Sequence, residues 1–199
     1  MDSQTFRKLV HMAGGLGAFA LPYVPRWFAI TTILGAAMFA TLLLKFSSAY
    51  LSKFGLIASL MRPGESPLRN GMLTYTFGIG LAVMIFDGQP AAVGWLILAF
   101  GDGAATLIGS RWPIYRFPNK KSLGGSIGFF FAALFALCTA TLIWPNILKY
   151  QPLLHVAAIV CVSLAGAVVE GITVEKWDNI LIPIITGGLY IMLNDVGAF

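Results

Sequence analysis

Asp102 stands alone in an apolar run, Phe100-Gly101-Asp102-Gly103-Ala104-Ala105-Thr106. An ionised carboxylate near the middle of a membrane span costs about 2.5–3.5 kcal/mol on insertion scales, so it calls for a cation, a metal or a water-filled cavity. Gly101 and Gly103 leave room for close approach of a ligand or for a broken helix. Thr106 and Gly109 follow on the same face if the helix continues. The plainer alternative is a structural Asp paired to a basic residue.

A second constellation is Asn119-Lys120-Lys121-Ser122-Leu123-Gly124-Gly125-Ser126. Ser122 suits the N-cap of a following helix, and Gly124 and Gly125 leave its first turn open. Free N–H groups and a positive dipole end suit phosphate, and two lysines add charge. The spacing of a Walker A loop is absent. An ordinary basic loop is the alternative. Glu170 closes one apolar segment and Asp178-Asn179 opens the next, with a linking loop of only about five residues that keeps both acids near one membrane face. Asp178 can cap the last helix, with Pro183 limiting or kinking its first turns. With Asp102, these acids offer the oxygen ligands that Mg²⁺ prefers.

Two further stretches are ambiguous. Arg7-Lys8-Leu9-Val10-His11 puts Arg7 and His11 one turn apart on a helix face, where both can meet a phosphate or simply sit at a boundary. The segment from Met61 to Gly71, with Arg62 and Glu65, mixes both charges with turn formers and either holds a nucleotide or connects two helices. Acids, lysines and an open helix N-terminus together are the chemistry of Mg²⁺-assisted phosphoryl transfer.

The elements that must position these residues are membrane spans. Of 199 residues, 58% are hydrophobic and 11% charged, against about 25% charged in a soluble domain. The expectation is a single domain over 1–199, an all-α polytopic bundle. Its seven apolar segments are 9–25, 27–46, 71–86, 90–109, 122–144, 153–172 and 178–196. The first is Gly-rich and is expected to be short or tilted. Seven spans put 11 Lys and Arg on the N-terminal side and only Arg26 and Lys149 on the other. That asymmetry places the N-terminus and the loops 46–70, 110–121 and 173–177 in the cytoplasm. The charge of +5 thus bears on orientation and not on nucleic acid. Cys138 and Cys161 lie in apolar runs and read as packing residues. His155 falls on the opposite side and reads as incidental. No cleavable signal peptide and no internal repeat of the transporter kind is legible. Small-residue helix faces would permit a homodimer.

At these residues the chain resembles the membrane lipid-alcohol kinases: the phytol, farnesol, dolichol and polyprenol kinases and the CTP-dependent diacylglycerol kinases. Arg7-Lys8-x-x-His11 resembles their opening motif. Arg62-x-Gly64-Glu65 through Gly71-x-Leu73-x-Tyr75 is similar to the next segment. Gly101-Asp102-Gly103-x-Ala105 with Gly109, then Asn119-Lys120-Lys121-Ser122-x-x-Gly125-Ser126, resembles the central motif. Glu170 with Asp178-Asn179 and Pro183 resembles the closing one. The resemblance implies transfer of a γ-phosphate, often from CTP, to a lipid hydroxyl at the cytoplasmic face of a bacterial or archaeal cell membrane. Asp102 and Lys121 would be catalytic. Arg7, Lys8, His11, Arg62, Glu65, Asn119, Lys120, Lys121, Ser122, Gly125 and Ser126 would face nucleotide and phosphate. Asp102, Glu170, Asp178 and Asn179 would hold Mg²⁺. Some relatives carry an acid where this chain has Gly124, which sets it nearer the phytol and farnesol type than the polyprenol type.

The rival with the same central motif is a CDP-diacylglycerol synthase, which attacks the α-phosphate of CTP. A CDP-alcohol phosphotransferase fails at Thr106-Leu107. A transporter using Asp102 as a proton or cation site is a different class. So is a non-enzymatic scaffold, which gives no reason for an intramembrane Asp.

Overall fold

The computed structural model of the chain describes residues 3–46, 71–144, 152–174 and 177–196. Its centre is one rod, Gln89–Arg111, which runs as α4 (Gln89–Leu96), a π-helical turn (Ile97–Gly101) and α5 (Asp102–Arg111). At 1.5 Å per residue such a rod is about 35 Å long, enough to cross a bilayer core of about 30 Å. Pro90 in its first turn suits a helix start, where a missing N–H costs no hydrogen bond. Leu96, Ile97 and Leu98 are fully buried.

Around the rod lie α1 (Ser3–Gly15), α2 (Arg26–Phe46), α3 (Gly71–Ile85), α6 (Leu123–Ile143), α7 (Pro152–Ile172) and α8 (Asp178–Val196). The upper half of the rod packs on α8 and α3, and its lower half on α6 and α1. In turn α6 packs on α7, α7 on α8, and α2 on α3. Lipid removes the hydrophobic drive for helix pairing, so close approach through small residues must supply contact. Gly94 lies against the Pro183 backbone, and any side chain there would strike the Pro183 carbonyl. Gly78 is set closer still to the Asn179 carbonyl. A Cβ on Gly166 would stand 2.8 Å from Ile97 and 2.9 Å from Phe129. Pro183 sits inside α8 and does not end it, and Gly94 leaves room for its backbone. Phe131, Phe135, Leu142 and Met192 point outward, a surface suited to lipid and not to water.

Among the described residues every named element is helical, and the single extended contact is an antiparallel bridge between Arg116 and Ser122. Among the described residues three helices are long and apolar enough to cross a membrane: Gln89–Arg111, Leu123–Ile143 and His155–Ile172. Arg26–Phe39, Leu73–Ile85 and Asp178–Asn194 are shorter apolar stretches. The expected first segment, 9–25, is not one helix. Helix α1 begins at Ser3 and stops at Gly15, and a 3₁₀ stretch, Leu16–Tyr23, follows. Pro22 lies within that stretch and cannot serve a long α-helical ladder. Gly15 is pressed against Ala99 of the rod, where a side chain would collide. The two cysteines are exposed, not packed as expected, and His155 is buried with both ring nitrogens unpartnered.

The two ends of the bundle differ. At one, Arg26 donates to the Val83 and Met84 carbonyls, which the last turn of α3 leaves unpaired. There too Tyr23 donates to the Ile143 carbonyl at 2.9 Å and Trp144 to that of Phe19 at 2.9 Å. The other end gathers the acids and lysines.

Candidate active site

Asp102 is the first residue of α5, directly after the π turn, and is 5% exposed. Single π turns inside α-helices recur at functional positions because they re-aim the side chains that follow. The flanking glycines neither break the rod nor admit a ligand. A Cβ on Gly101 would lie 2.6 Å from the Phe129 ring and one on Gly103 2.5 Å from Met12. They let α6 and α1 close onto the rod, which brings Lys8 to Asp102. Lys8 Nζ donates to Asp102 Oδ2, and His11 Nδ1 stands 3.8 Å from the same oxygen.

His11 lies behind this pair. Its ring meets Tyr75 edge-on at 3.6 Å between centroids. The Tyr75 hydroxyl donates to the His11 carbonyl at 3.1 Å and accepts from Trp95 Nε1 at 2.9 Å. Helices α1, α3 and α4 are thereby tied together behind the carboxylate. Arg7 turns toward Gly71 at the start of α3.

The loop from Trp112 to Lys121 sets the second half of the site. Lys120 adopts a left-handed backbone, φ 69°, uncommon for a residue with a Cβ. The Phe117 N–H donates to the Lys121 carbonyl at 2.8 Å and the Lys120 N–H to that of Phe117 at 2.9 Å, closing a tight turn. Asn119 clamps it: Oδ1 accepts the Lys121 N–H at 3.2 Å, and Nδ2 donates to the Gly171 and Thr173 carbonyls at the end of α7. Lys121 is thus directed inward. Its Nζ donates to Glu170 Oε1 at 2.9 Å and Asp178 Oδ2 at 2.7 Å. Burial alone would lower its pKa, but the Asp178 and Glu170 carboxylates reverse that and hold the ammonium above the ordinary lysine range.

Ser122 is the N-cap of α6, as its position in the sequence leads one to expect: its Oγ accepts the Gly125 N–H at 3.1 Å. The first turn of α6 is packed rather than open, however. A Cβ on Gly109 would lie 2.6 Å from Ser122 Oγ, one on Gly125 2.9 Å from the Ala105 carbonyl, and one on Gly124 would strike the Trp112 carbonyl. An acid at position 124 has no space here. Asp178 Oδ1 accepts the Asn179 N–H at 2.9 Å in the first turn of α8, where a carboxylate also suits the helix dipole.

A cleft of about 410 Å³ joins these groups. Lys8, Asp102, Asn119, Lys120, Lys121, Ser122, Gly125, Glu170 and Asp178 all line it, with Thr106 and Gly109 on the expected face of α5. Among the described candidates, Arg7, His11, Ser126 and Asn179 do not. Ser126 Oγ donates to Glu170 Oε2 at 3.1 Å from the far side. Asn179 Nδ2 donates to Thr74 Oγ1 at 2.9 Å and to the Gly71 carbonyl at 3.4 Å, tying α8 to α3. Arg62 and Glu65 lie outside the described residues. Arg116, not among the expected site residues, also lines the cleft. The available signal was a third cation four positions before Lys120 in the same short loop.

No three acidic, histidine or cysteine side chains converge as a ready metal cage among the described residues. Mg²⁺ at nucleotide sites takes one or two carboxylates plus phosphate oxygens and waters. Glu170 and Asp178, brought together on one ammonium, fit that smaller requirement, and Asp102 lines the same cleft.

The chain is 31% identical over 192 residues to a phytol kinase from Synechocystis, covering 92% of this chain and 76% of that protein. The chain belongs to this family of membrane lipid-alcohol kinases. The CTP-dependent diacylglycerol kinase 1 of Schizosaccharomyces pombe is 27% identical over 146 residues, 69% of this chain and 66% of that one. Its namesake from Saccharomyces cerevisiae is 27% identical over 146 residues, 65% of this chain and 50% of that one. The chain therefore spans about half to two thirds of the length of these diacylglycerol kinases. No family profile and no solved structure matches it. The family's relatives here come from yeasts as well as Synechocystis, so kinship does not confine the chain to bacteria or archaea.

Proposed function

We propose that the chain transfers the γ-phosphate of CTP to the hydroxyl of a membrane lipid alcohol, isoprenoid or diacylglycerol, at the cytoplasmic face of an integral multi-pass protein. The observation that carries this reading is the single cleft in which Asp102 with Lys8, and Lys121 with Glu170 and Asp178, face one another beside the N-terminus of α6. The names of the relatives support the donor: three matched proteins are called CTP-dependent.

The cleft holds four cations, Lys8, Arg116, Lys120 and Lys121, against three carboxylates. Two of those cations are engaged with the acids, and among the described residues Arg116 and Lys120 make no ion pair. That balance is too small for a triphosphate by itself, which favours a divalent cation accompanying the nucleotide. When bound, Mg²⁺ would supply charge neutralisation at phosphate oxygens, held by Glu170 and Asp178 with Asp102 in reach of the same cleft. Lys120, Lys121 and Arg116 then hold phosphate oxygens, and the α6 N-terminus adds its dipole. Asp102, oriented by Lys8, steers the acceptor hydroxyl. The alcohol oxygen bonds to the γ-phosphorus as the bond from that phosphorus to the β–γ bridging oxygen breaks. CDP leaves, and the hydroxyl proton passes to a cleft carboxylate.

The test is purified protein in mixed micelles with γ-labelled CTP and a panel of lipid alcohols. Label in the lipid supports the kinase. Labelled pyrophosphate instead would make the chain a cytidylyltransferase, and no transfer to any alcohol would end the reading.

A further inference from the structure

An apolar groove of about 730 Å³ runs between α6 and α7, separate from the charged cleft. Its size falls within the range of about 300–1,000 Å³ that holds one small ligand. Phe130 and Phe131 form one wall and Leu164 and Val168 the other, with Phe117 near the loop end. Leu164, Val168 and Phe131 are more than half exposed, so the groove opens sideways, toward the bilayer in a spanning bundle.

Its polar end adjoins the cleft. Asn119 lines both spaces. Ser126 lines the groove and donates to Glu170 Oε2, while Glu170 lines the cleft and accepts from Lys121 on its other oxygen. One carboxylate therefore separates the hydrocarbon-lined space from the charged one. Gly171 keeps this mouth wide. A Cβ there would stand 3.0 Å from Ser126 Oγ and 3.8 Å from Phe117.

We propose that the α6–α7 groove holds the hydrocarbon tail of a single-chain lipid alcohol, which enters from the bilayer and passes its hydroxyl by Ser126 and Glu170 into the cleft that Asp102 lines. The inference rests on the kinase reading and adds the acceptor's place and class. A single rift between one pair of helices matches one tail, and a chain with a hydroxyl head matches apolar walls that end on a hydroxyl and a carboxylate. Ser126 is thereby a positioning residue for the acceptor and not a phosphate ligand.

The experiment uses the full chain in nanodiscs, with Leu164→Trp and Val168→Trp filling the groove from exposed positions. A diazirine-bearing single-chain isoprenoid alcohol is photolysed on wild type and variants, and the labelled peptides are mapped. Expected are labels on α6 and α7 that excess unlabelled alcohol removes and excess phosphatidylcholine does not. Both variants should lose them. KM for the alcohol should rise about tenfold or more, the penalty of overfilling an apolar site, with KM for CTP unchanged. Labels on other helices, unchanged KM in both variants, or equal competition by phosphatidylcholine would overturn the groove. Equal labelling and turnover of a diazirine diacylglycerol would overturn the single-chain assignment. A wild type that labels at α6–α7 yet moves no phosphate would leave the groove standing and remove the kinase reading.

Discussion

At the scale of single residues, Lys121 and Asp102 carry the strongest expectations. Lys121→Ala leaves Glu170 and Asp178, 3% and 5% exposed, without their shared cation. Breaking a buried pair in this way costs about 3–5 kcal/mol, read as a lower unfolding temperature in detergent. Adding Glu170→Gln and Asp178→Asn should recover much of that stability and none of the transferase activity, which separates the structural role of Lys121 from the catalytic one. Because its folded pKa is raised, the stability from this ion pair is fully present below the ordinary lysine value and is lost only as pH rises through the higher folded one. The pH–rate profile should therefore show no loss from Lys121 before the ordinary lysine range is passed. Asp102→Asn keeps the shape of the side chain and should lower kcat about 10²–10⁴-fold, the usual size of a general acid–base contribution. Retained activity would remove Asp102 from the mechanism.

At the scale of elements, the site depends on how closely α5 and α6 meet. Ser122→Ala removes the cap of α6 and should cost about 1 kcal/mol, measured by thermal unfolding. Gly124→Ala should cost more, since its Cβ has no room against the Trp112 carbonyl, whereas Gly35→Ala meets nothing within 4 Å and serves as the control. Equal effects at the two glycines would mean that the α5–α6 loop yields rather than packs. The cap at Ser122, the inward face of α5 through Asp102, Thr106 and Gly109, and the first-turn position of Asp178 were all legible, because capping chemistry and helical periodicity are local. The roles of Gly101, Gly103, Gly124 and Gly125 were not. A glycine marks a close approach, but which surface approaches is a tertiary fact, and here it is neighbouring helices at Gly101, Gly103 and Gly125 and the Trp112 carbonyl at Gly124.

At the scale of the molecule, the charge asymmetry and the clustering of polar groups at one end both argue that the cleft faces the cytoplasm. In sealed vesicles of known orientation, with Cys138 and Cys161 replaced by alanine, a cysteine at Trp112 should react with an impermeant maleimide from the cytoplasmic side. One at Tyr23, at the other end of the bundle, should react from the opposite side. Reaction of both from one side would reject the orientation.

What composition and pattern determined alone is the helical class, the membrane setting, the isolation of Asp102 and the grouping of lysines with late acids, because burying charge in an apolar chain is costly wherever the helices go. Only the tertiary structure decided who pairs with whom. Lys8 rather than Arg7 reaches Asp102, and His11 supports it from behind, since a helix turn puts residues on a face without naming the neighbour. Asn179 ties α8 to α3 instead of entering the cleft, and Ser126 faces the apolar side of Glu170. The first apolar segment divides at Gly15, where the rod comes too near for a side chain and Pro22 follows. Those outcomes depend on distances between segments far apart in the chain, which no local spacing encodes.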